Sequence, residues 1–269
     1  MSRTYVVTGA ASGTGAATVA ALRADGHRVF GVDLHNTDIN ADLSSPPGRL
    51  EAAEIAYERS GGNIDAIIAC AGVAAPKPVS VAVNFFGATQ FIEGLLDVLA
   101  NSAAPRVAVI SSVAALQSSD AQLVAAMLAG IESKALIRAQ ELYEQGPAAA
   151  ALIYPSSKLA LSYWVRRESV TPDFAGQGIA LNAVGLGTVL TPMTETALQT
   201  QSGRSEIDAA VPMPLNYHLK PEDVAKTLMW LTSEENSHIT GQTIFVDGGA
   251  EAKLRPIPNN VTNRSPLPL

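Results

Sequence analysis

Tyr154 and Lys158 stand four residues apart in Tyr154-Pro155-Ser156-Ser157-Lys158, a phenol and an ammonium that could act as a pair. With Pro155 in the first turn of a helix, both side chains fall on one helical face. A free phenol titrates near pH 10, so acid/base work near neutrality needs its pKa lowered by about three units, roughly 4 kcal/mol. A nearby lysine, helped by a second positive group, could supply that by stabilising the phenolate. The spacing alone is common, and a surface helix pair accounts for it equally well.

A second set of residues suggests what that positive group could be. The apolar run Tyr5-Val6-Val7-Thr8 leads into Gly9-Ala10-Ala11-Ser12-Gly13-Thr14-Gly15 and then into an Ala-rich helical stretch. Glycine is required where a backbone turns tightly and a pyrophosphate approaches main-chain N–H groups. The helix start then adds partial positive charge. The next strand ends in Asp33, eighteen positions past Gly15, the spacing of a ribose-binding carboxylate in dinucleotide sites. Asp33 would accept from the adenine ribose hydroxyls and repel a 2′-phosphate. No Arg or Lys sits beside it or in the glycine loop, so NAD is expected over NADP; Asp33 as a simple turn residue is the alternative. Asp42, in Ala41-Asp42-Leu43, could reach the adenine edge or merely cap a turn.

These side chains need a scaffold. The stretches 5–8, 28–32, 64–69, 106–110, 179–184 and 243–246 read as strands, with helical patterns such as 16–24, 88–100 and 159–168 between them. Strands apolar throughout, alternating with helices, imply a doubly wound parallel sheet covered on both faces. No Pro/Gly/Ser-rich linker interrupts the alternation, so 1–269 is expected to be a single α/β domain. Residues 117–151 form a long Ala/Glu/Gln-rich insertion expected to be helical up to Gly146-Pro147. Residues 193–217 are polar and close on Pro212 and Pro214, which suggests a mobile substrate lid. There Met193, Leu198, Met213 and Leu215 could line an apolar pocket or simply pack the lid. The tail 250–269, with Pro256, Pro258, Pro266 and Pro268, is expected to be extended.

Bulk properties exclude several classes. Charged residues are 16% and hydrophobic ones 47%, enough for a core and without a disorder signature. A net charge of −7 with no basic run argues against nucleic-acid and anionic-membrane partners. No apolar run reaches a membrane span. One cysteine, Cys70, fits a reducing cytoplasm, and the strand pattern beginning at once leaves no room for a signal peptide. His27, His35, His218 and His238 are scattered without metal-ligand spacing, so no metal is expected. Tyr163 and Trp164, on the helix of Tyr154, read as core or interface.

Taken in order, Thr8-Gly9-x-x-x-Gly13-x-Gly15, Cys70-Ala71-Gly72, Asn84, Ser111-Ser112 and Tyr154-x-x-x-Lys158 resemble the short-chain dehydrogenase/reductase family. The likeness runs from Val6 to Gly249 and implies a Rossmann-like sheet. By that resemblance Tyr154 is the proton donor and acceptor, and Ser112, rather than Ser111, binds the substrate oxygen. Lys158 would bind the nicotinamide ribose and depress the tyrosine pKa, and Asn84 would hold the water of a proton relay. The resemblance further implies that NAD contacts Gly9, Ser12, Gly13, Thr14 and Gly15, then Asp33, Asp42, Leu43, Ala71 and Gly72. At the nicotinamide end it would meet Tyr154, Lys158, Gly187, Val189 and Thr191. Two positions depart from the pattern. Cys70 replaces the usual asparagine, and Leu186 replaces the usual proline, which would loosen the loop over the nicotinamide.

The long insert, with Val83-Asn84-Phe85-Phe86-Gly87, Gly31-Val32-Asp33 and Asp247-Gly248-Gly249, looks like that of bacterial 3α-hydroxysteroid dehydrogenase/carbonyl reductases. That likeness implies a hydroxysteroid or similar cyclic apolar substrate. It also implies a homodimer through another face, with a homotetramer as the usual family assembly. An unrelated surface elaboration, serving small carbonyl substrates, is the other reading of the insert. A non-catalytic dinucleotide sensor is the competing class, and retention of Asn84, Ser112, Tyr154 and Lys158 speaks against it.

Overall fold

The computed structural model describes residues 2–256. Seven strands form one parallel sheet: β1 (Thr4–Thr8), β2 (Arg28–Asp33), β3 (Ile39–Asn40), β4 (Ala66–Ala69), β5 (Arg106–Ser112), β6 (Ala180–Leu186) and β7 (Thr243–Val246). Their order is β3-β2-β1-β4-β5-β6-β7. The doubly wound sheet expected from the sequence is therefore present, with one short strand, β3, that two residues were too few to signal. Chain direction across the sheet reverses between β1 and β4, which opens a crevice at the carboxyl ends of the strands.

Alternation along the strands supplies two cores. Val6, Ile67 and Val107 face Phe86, Phe91, Leu161 and Trp164 on one side. Tyr5, Val7 and Ile68 face Leu22, Val224 and Leu228 on the other. Trp164 is buried and meets Phe174 edge-on at 5.8 Å, whereas Tyr163 is exposed.

The insert is three helices: Ala121–Leu128, Glu132–Glu144 and Pro147–Ala150. Gly130 at φ +70 and Gly146 at φ +104 break it, because left-handed backbone is cheap only for glycine. Asp120 caps the first helix through Leu123 N at 2.7 Å and pairs with Arg138 Nη2 at 2.8 Å. Leu123, Met127, Ala135, Ala139 and Leu142 are buried and extend the core beside the helix Ile153–Glu168. The 193–217 excursion also carries structure, as the helices Pro192–Leu198 and Gln201–Ala210.

The expected extended tail fails at its start, since Ala250–Leu254 is helical. Gly248 and Gly249 take positive φ, and the Asp247 carboxylate accepts from Gly249 N at 2.9 Å and Glu251 N at 2.6 Å. That turn starts a helix before the first tail proline can act. The remainder of the expected tail, 257–269, lies outside the described residues.

Candidate active site

At the crevice between β1 and β4 lies a cavity of about 560 Å³. One end is the glycine loop. Gly15 lies so close to Gly9 O that a Cβ there would sit 2.0 Å away, and Gly9, at φ +69, packs against the Ala71 backbone. A Gly15→Ala variant must push backbone apart, an overpacking cost of about 1–3 kcal/mol. We expect Tm to fall by several degrees and NADH binding to weaken; an unchanged thermal melt would contradict the close approach. The helix Gly13–Ala24 starts at this loop and aims its first N–H groups, which have no intrahelical acceptor, at the cavity.

Asp33 ends β2 at the cavity wall. Its Oδ2 accepts from Ala11 N at 2.9 Å and its Oδ1 from Leu34 N at 2.7 Å. The carboxylate thus braces the glycine loop while lining the cavity. Asp42 accepts from Ser44 N at 2.8 Å, and its bonds to Ser44 hold the carboxyl below the usual range. It is a turn residue that also lines the cavity.

At the other end stand Ser112, Tyr154 and Lys158. Ser112 closes β5; its Oγ accepts from Ala114 N at 3.1 Å and donates to Leu186 O at 3.4 Å. Ser111 points the opposite way, donating to Lys158 O at 3.1 Å and sharing a 2.8 Å bond with Ser162. The period-2 alternation of the strand separates the two serines. Lys158 Nζ donates to Ile110 O at 2.8 Å and lies 5.9 Å from the Tyr154 ring centre. Burial lowers the Lys158 pKa to about 8. Burial also pushes the Tyr154 phenol above its ordinary value, with the Ser112 hydroxyl opposing. Protein groups alone therefore hold the phenol protonated. The depression expected from the Tyr-Lys spacing does not arise from them, because desolvation of the phenol outweighs the Ser112 bond. Burial likewise pushes the neighbouring Cys70 thiol up to about 12, which keeps it neutral.

Asn84 is buried. It lies in a π-helical turn, Ala82–Gly87, and its side chain is absent from the cavity wall. Its Oδ1 accepts from Val73 N at 2.8 Å, and its Nδ2 donates to Val73 O and Ser157 Oγ, both at 3.0 Å. The amide is committed to joining the turn after β4 to the helix of Tyr154. Gly72 permits this, since a Cβ there would lie 3.1 Å from Asn84 Oδ1 and 3.5 Å from Lys158 Nζ.

The fifteen residues expected to contact a dinucleotide all line this one cavity, from Gly9 and Asp33 to Gly187, Val189 and Thr191. Leu186 is held in the sheet. It continues β6, pairing with Ser112 and Val246, and Gly187 N donates to Val246 O at 3.0 Å. Of the lid residues proposed to face substrate, Met193 reaches the wall and Leu198 and Leu215 do not. Met213 packs on Gly187 and Gly248 instead. Ile207 and Val211 were missed; they line the cavity with Val73, Ala74, Ala114 and Gln117. Their four-residue spacing was the available signal. Gln117 Nε2 donates to Ala210 O at 3.2 Å, tying the lid to the start of the insert. Among the described residues no cluster of three His, Cys, Asp or Glu side chains could hold a metal, and no helix is long and apolar enough to cross a membrane.

A family model described as Enoyl-(Acyl carrier protein) reductase matches residues 9–251. The 3-alpha-hydroxysteroid dehydrogenase/carbonyl reductase of Comamonas testosteroni is 34% identical over 256 residues, covering 93% of this chain and 97% of that protein. The chain belongs to the short-chain dehydrogenase/reductase family. Within it, the crystal structure of the 3-alpha-hydroxysteroid dehydrogenase from Pseudomonas sp. B-0831, complexed with NADH, superposes with a TM-score of 0.85 at 37% identity. That match covers 94% of this chain and 98% of the other. Glucose 1-dehydrogenase 2 of Bacillus subtilis (strain 168) is 27% identical over 92% of this chain and 94% of its own length. A short-chain dehydrogenase/reductase is an oxidoreductase.

Proposed function

We propose that this protein is an NAD-dependent oxidoreductase that interconverts a secondary alcohol and a ketone, with a hydroxysteroid or similar cyclic apolar molecule as substrate. The observation that carries the reading is the single cavity joining Asp33, the glycine loop and the Ser112–Tyr154–Lys158 group. The cradle fits a dinucleotide. The glycine loop leaves no room for side chains at Gly9 and Gly15, and the Asp33 carboxylate is placed to accept ribose hydroxyls while repelling a 2′-phosphate. The apolar wall of Val73, Ala114, Ile207 and Val211 suits an apolar ring system, in keeping with the steroid-active relatives.

NAD, when bound, supplies the hydride acceptor, and its reduced form the donor. Ser112 Oγ donates to the substrate oxygen and fixes its position. Tyr154 Oη takes the hydroxyl proton in oxidation and returns it in carbonyl reduction. Lys158 would hold the ribose hydroxyls of NAD and, while protonated, places positive charge beside the phenol. Asn84 keeps the 71–73 turn and the Tyr154 helix in register. The insert and lid together shape the end at which substrate binds.

Steroid, cyclic and small aliphatic alcohols assayed with NAD by NADH absorbance test the reading. Turnover of cyclic apolar alcohols is expected, and no turnover with any secondary alcohol or ketone would overturn it. For cofactor choice, Asp33→Ser is expected to raise KM for NAD and to shift the NADP-to-NAD preference by about tenfold, worth about 1.4 kcal/mol. Wild-type preference for NADP would remove Asp33 from that role. A cytoplasmic homo-oligomer, dimer or tetramer, is part of the same proposal. Sedimentation of the purified chain as a monomer would contradict the assembly.

A further inference from the structure

We propose that the ion pair between Arg49 and Glu132 is a positioning pair through which the insert sets the adenosine-side wall of the cavity. The inference rests on the reading that this cavity binds NAD(H). Arg49 lies on the helix Pro46–Ser60 and is 2% exposed. Both oxygens of Glu132 accept from its guanidinium at 2.7 Å. Glu132 is the first residue of the second insert helix, just past the Gly130 break. The insert therefore delivers a carboxylate to an otherwise buried arginine in a two-point contact, which carries geometric as well as electrostatic definition.

The remaining donors of Arg49 hold the cavity wall. Nε donates to Leu43 O at 2.8 Å and Nη2 to Ser44 O at 3.0 Å. Both residues follow Asp42 and line the cavity. Nη2 also reaches Ala82 O at 3.3 Å, at the start of the π-helical turn that carries Val83 and Asn84, and Nη1 donates to Gln90 Oε1 at 2.8 Å. Three of these acceptors are main-chain carbonyls, so a displacement of the guanidinium moves backbone rather than a free side chain. Glu132 fixes where the guanidinium sits, and the guanidinium fixes where 43–44 and 82 sit. Filling the same space with apolar side chains would preserve packing and often stability, but it would leave those carbonyls without their shared donor. A lysine has no planar fork and could not serve all of them.

The test compares wild type, Glu132→Gln, Arg49→Lys and the double variant Arg49→Met/Glu132→Leu. NADH binding is followed by fluorescence titration, with KM for NAD, kcat, thermal melts and amide hydrogen exchange over residues 41–45. Expected are a five- to tenfold weaker NADH Kd and a matching rise in KM for NAD, with kcat at saturating NAD within twofold of wild type. Exchange at 41–45 should quicken. The double variant should melt within a few degrees of wild type and still bind NADH weakly. A folded double variant that binds NADH within twofold of wild type, or exchange at 41–45 unchanged in Glu132→Gln and Arg49→Lys, would overturn the proposal. Failure of the wild type itself to bind NADH would sink the functional reading instead, and the exchange measurement would then decide the positioning role by itself.

Discussion

Tyr154→Phe should lower kcat by about 10²–10⁴-fold, the usual contribution of a general acid/base, while NADH binds with near-normal affinity. The variant removes one oxygen from a half-buried ring and leaves the cavity wall otherwise intact. Ser112 still polarises the substrate oxygen, so residual turnover should survive. Stopped-flow measurement of NADH formation at saturating substrate reads the chemical step directly. A rate within threefold of wild type would take Tyr154 out of the mechanism, and lost NADH binding would make it a structural residue. The raised phenol pKa in the protein sharpens the expectation. Below its pKa the residue is an acid, ready for carbonyl reduction. Alcohol oxidation needs the phenolate, so its rate should climb as pH rises through the phenol pKa.

The second large effect is at Lys158, where activity and stability are expected to move in opposite directions. In Lys158→Met, turnover should fall by about a hundredfold or more. Burial lowers the lysine pKa from 10.5 to about 8, a gap worth roughly 3 kcal/mol. The cost of burying the ammonium is fully present below pH 8, where both folded and unfolded chains keep the proton. Between about pH 8 and pH 10.5 the folded chain releases it while the unfolded chain does not, so wild-type stability should rise with pH across that window. Lys158→Met should melt higher than wild type at pH 7 and lose this rise. A variant that melts lower at pH 7 and keeps the pH dependence would show that the ammonium is not the strained group.

How much of this was legible in the sequence differs from residue to residue. The glycine loop and Asp33 were legible because their function is local: a turn that only glycine can make, a helix start after it, a carboxylate ending the next strand. The alternation of apolar strands and helices was legible for the same reason, and only the two-residue β3 escaped it. The choice of Ser112 over Ser111 follows from strand alternation once β5 is known to end at Ser112. Other features depended on partners far away in the chain. The insert was legible as helical, but composition carries periodicity and not the left-handed backbone at Gly130 that divides it. The tail looked extended because prolines 256 and 258 outweighed the capping carboxylate of Asp247.

By itself the sequence determined that this chain makes a doubly wound sheet, that a glycine loop and Asp33 stand at its switch point, and that Tyr154 and Lys158 share one helical face. Those properties arise from backbone preferences and spacings within a few residues of each other. Only the tertiary structure decided that Asn84 is spent on Val73 and Ser157, that Ile207 and Val211 rather than Leu198 and Leu215 wall the cavity, and that Glu132 grips Arg49. The physical reason is the same in each case. A buried polar group must find a partner, and an apolar side chain a neighbour, and here both come from elements whose approach no local pattern records. The Tyr-Lys pair shows the division most plainly: its spacing is written in the chain, but its protonation is set by the desolvation that the fold puts around it.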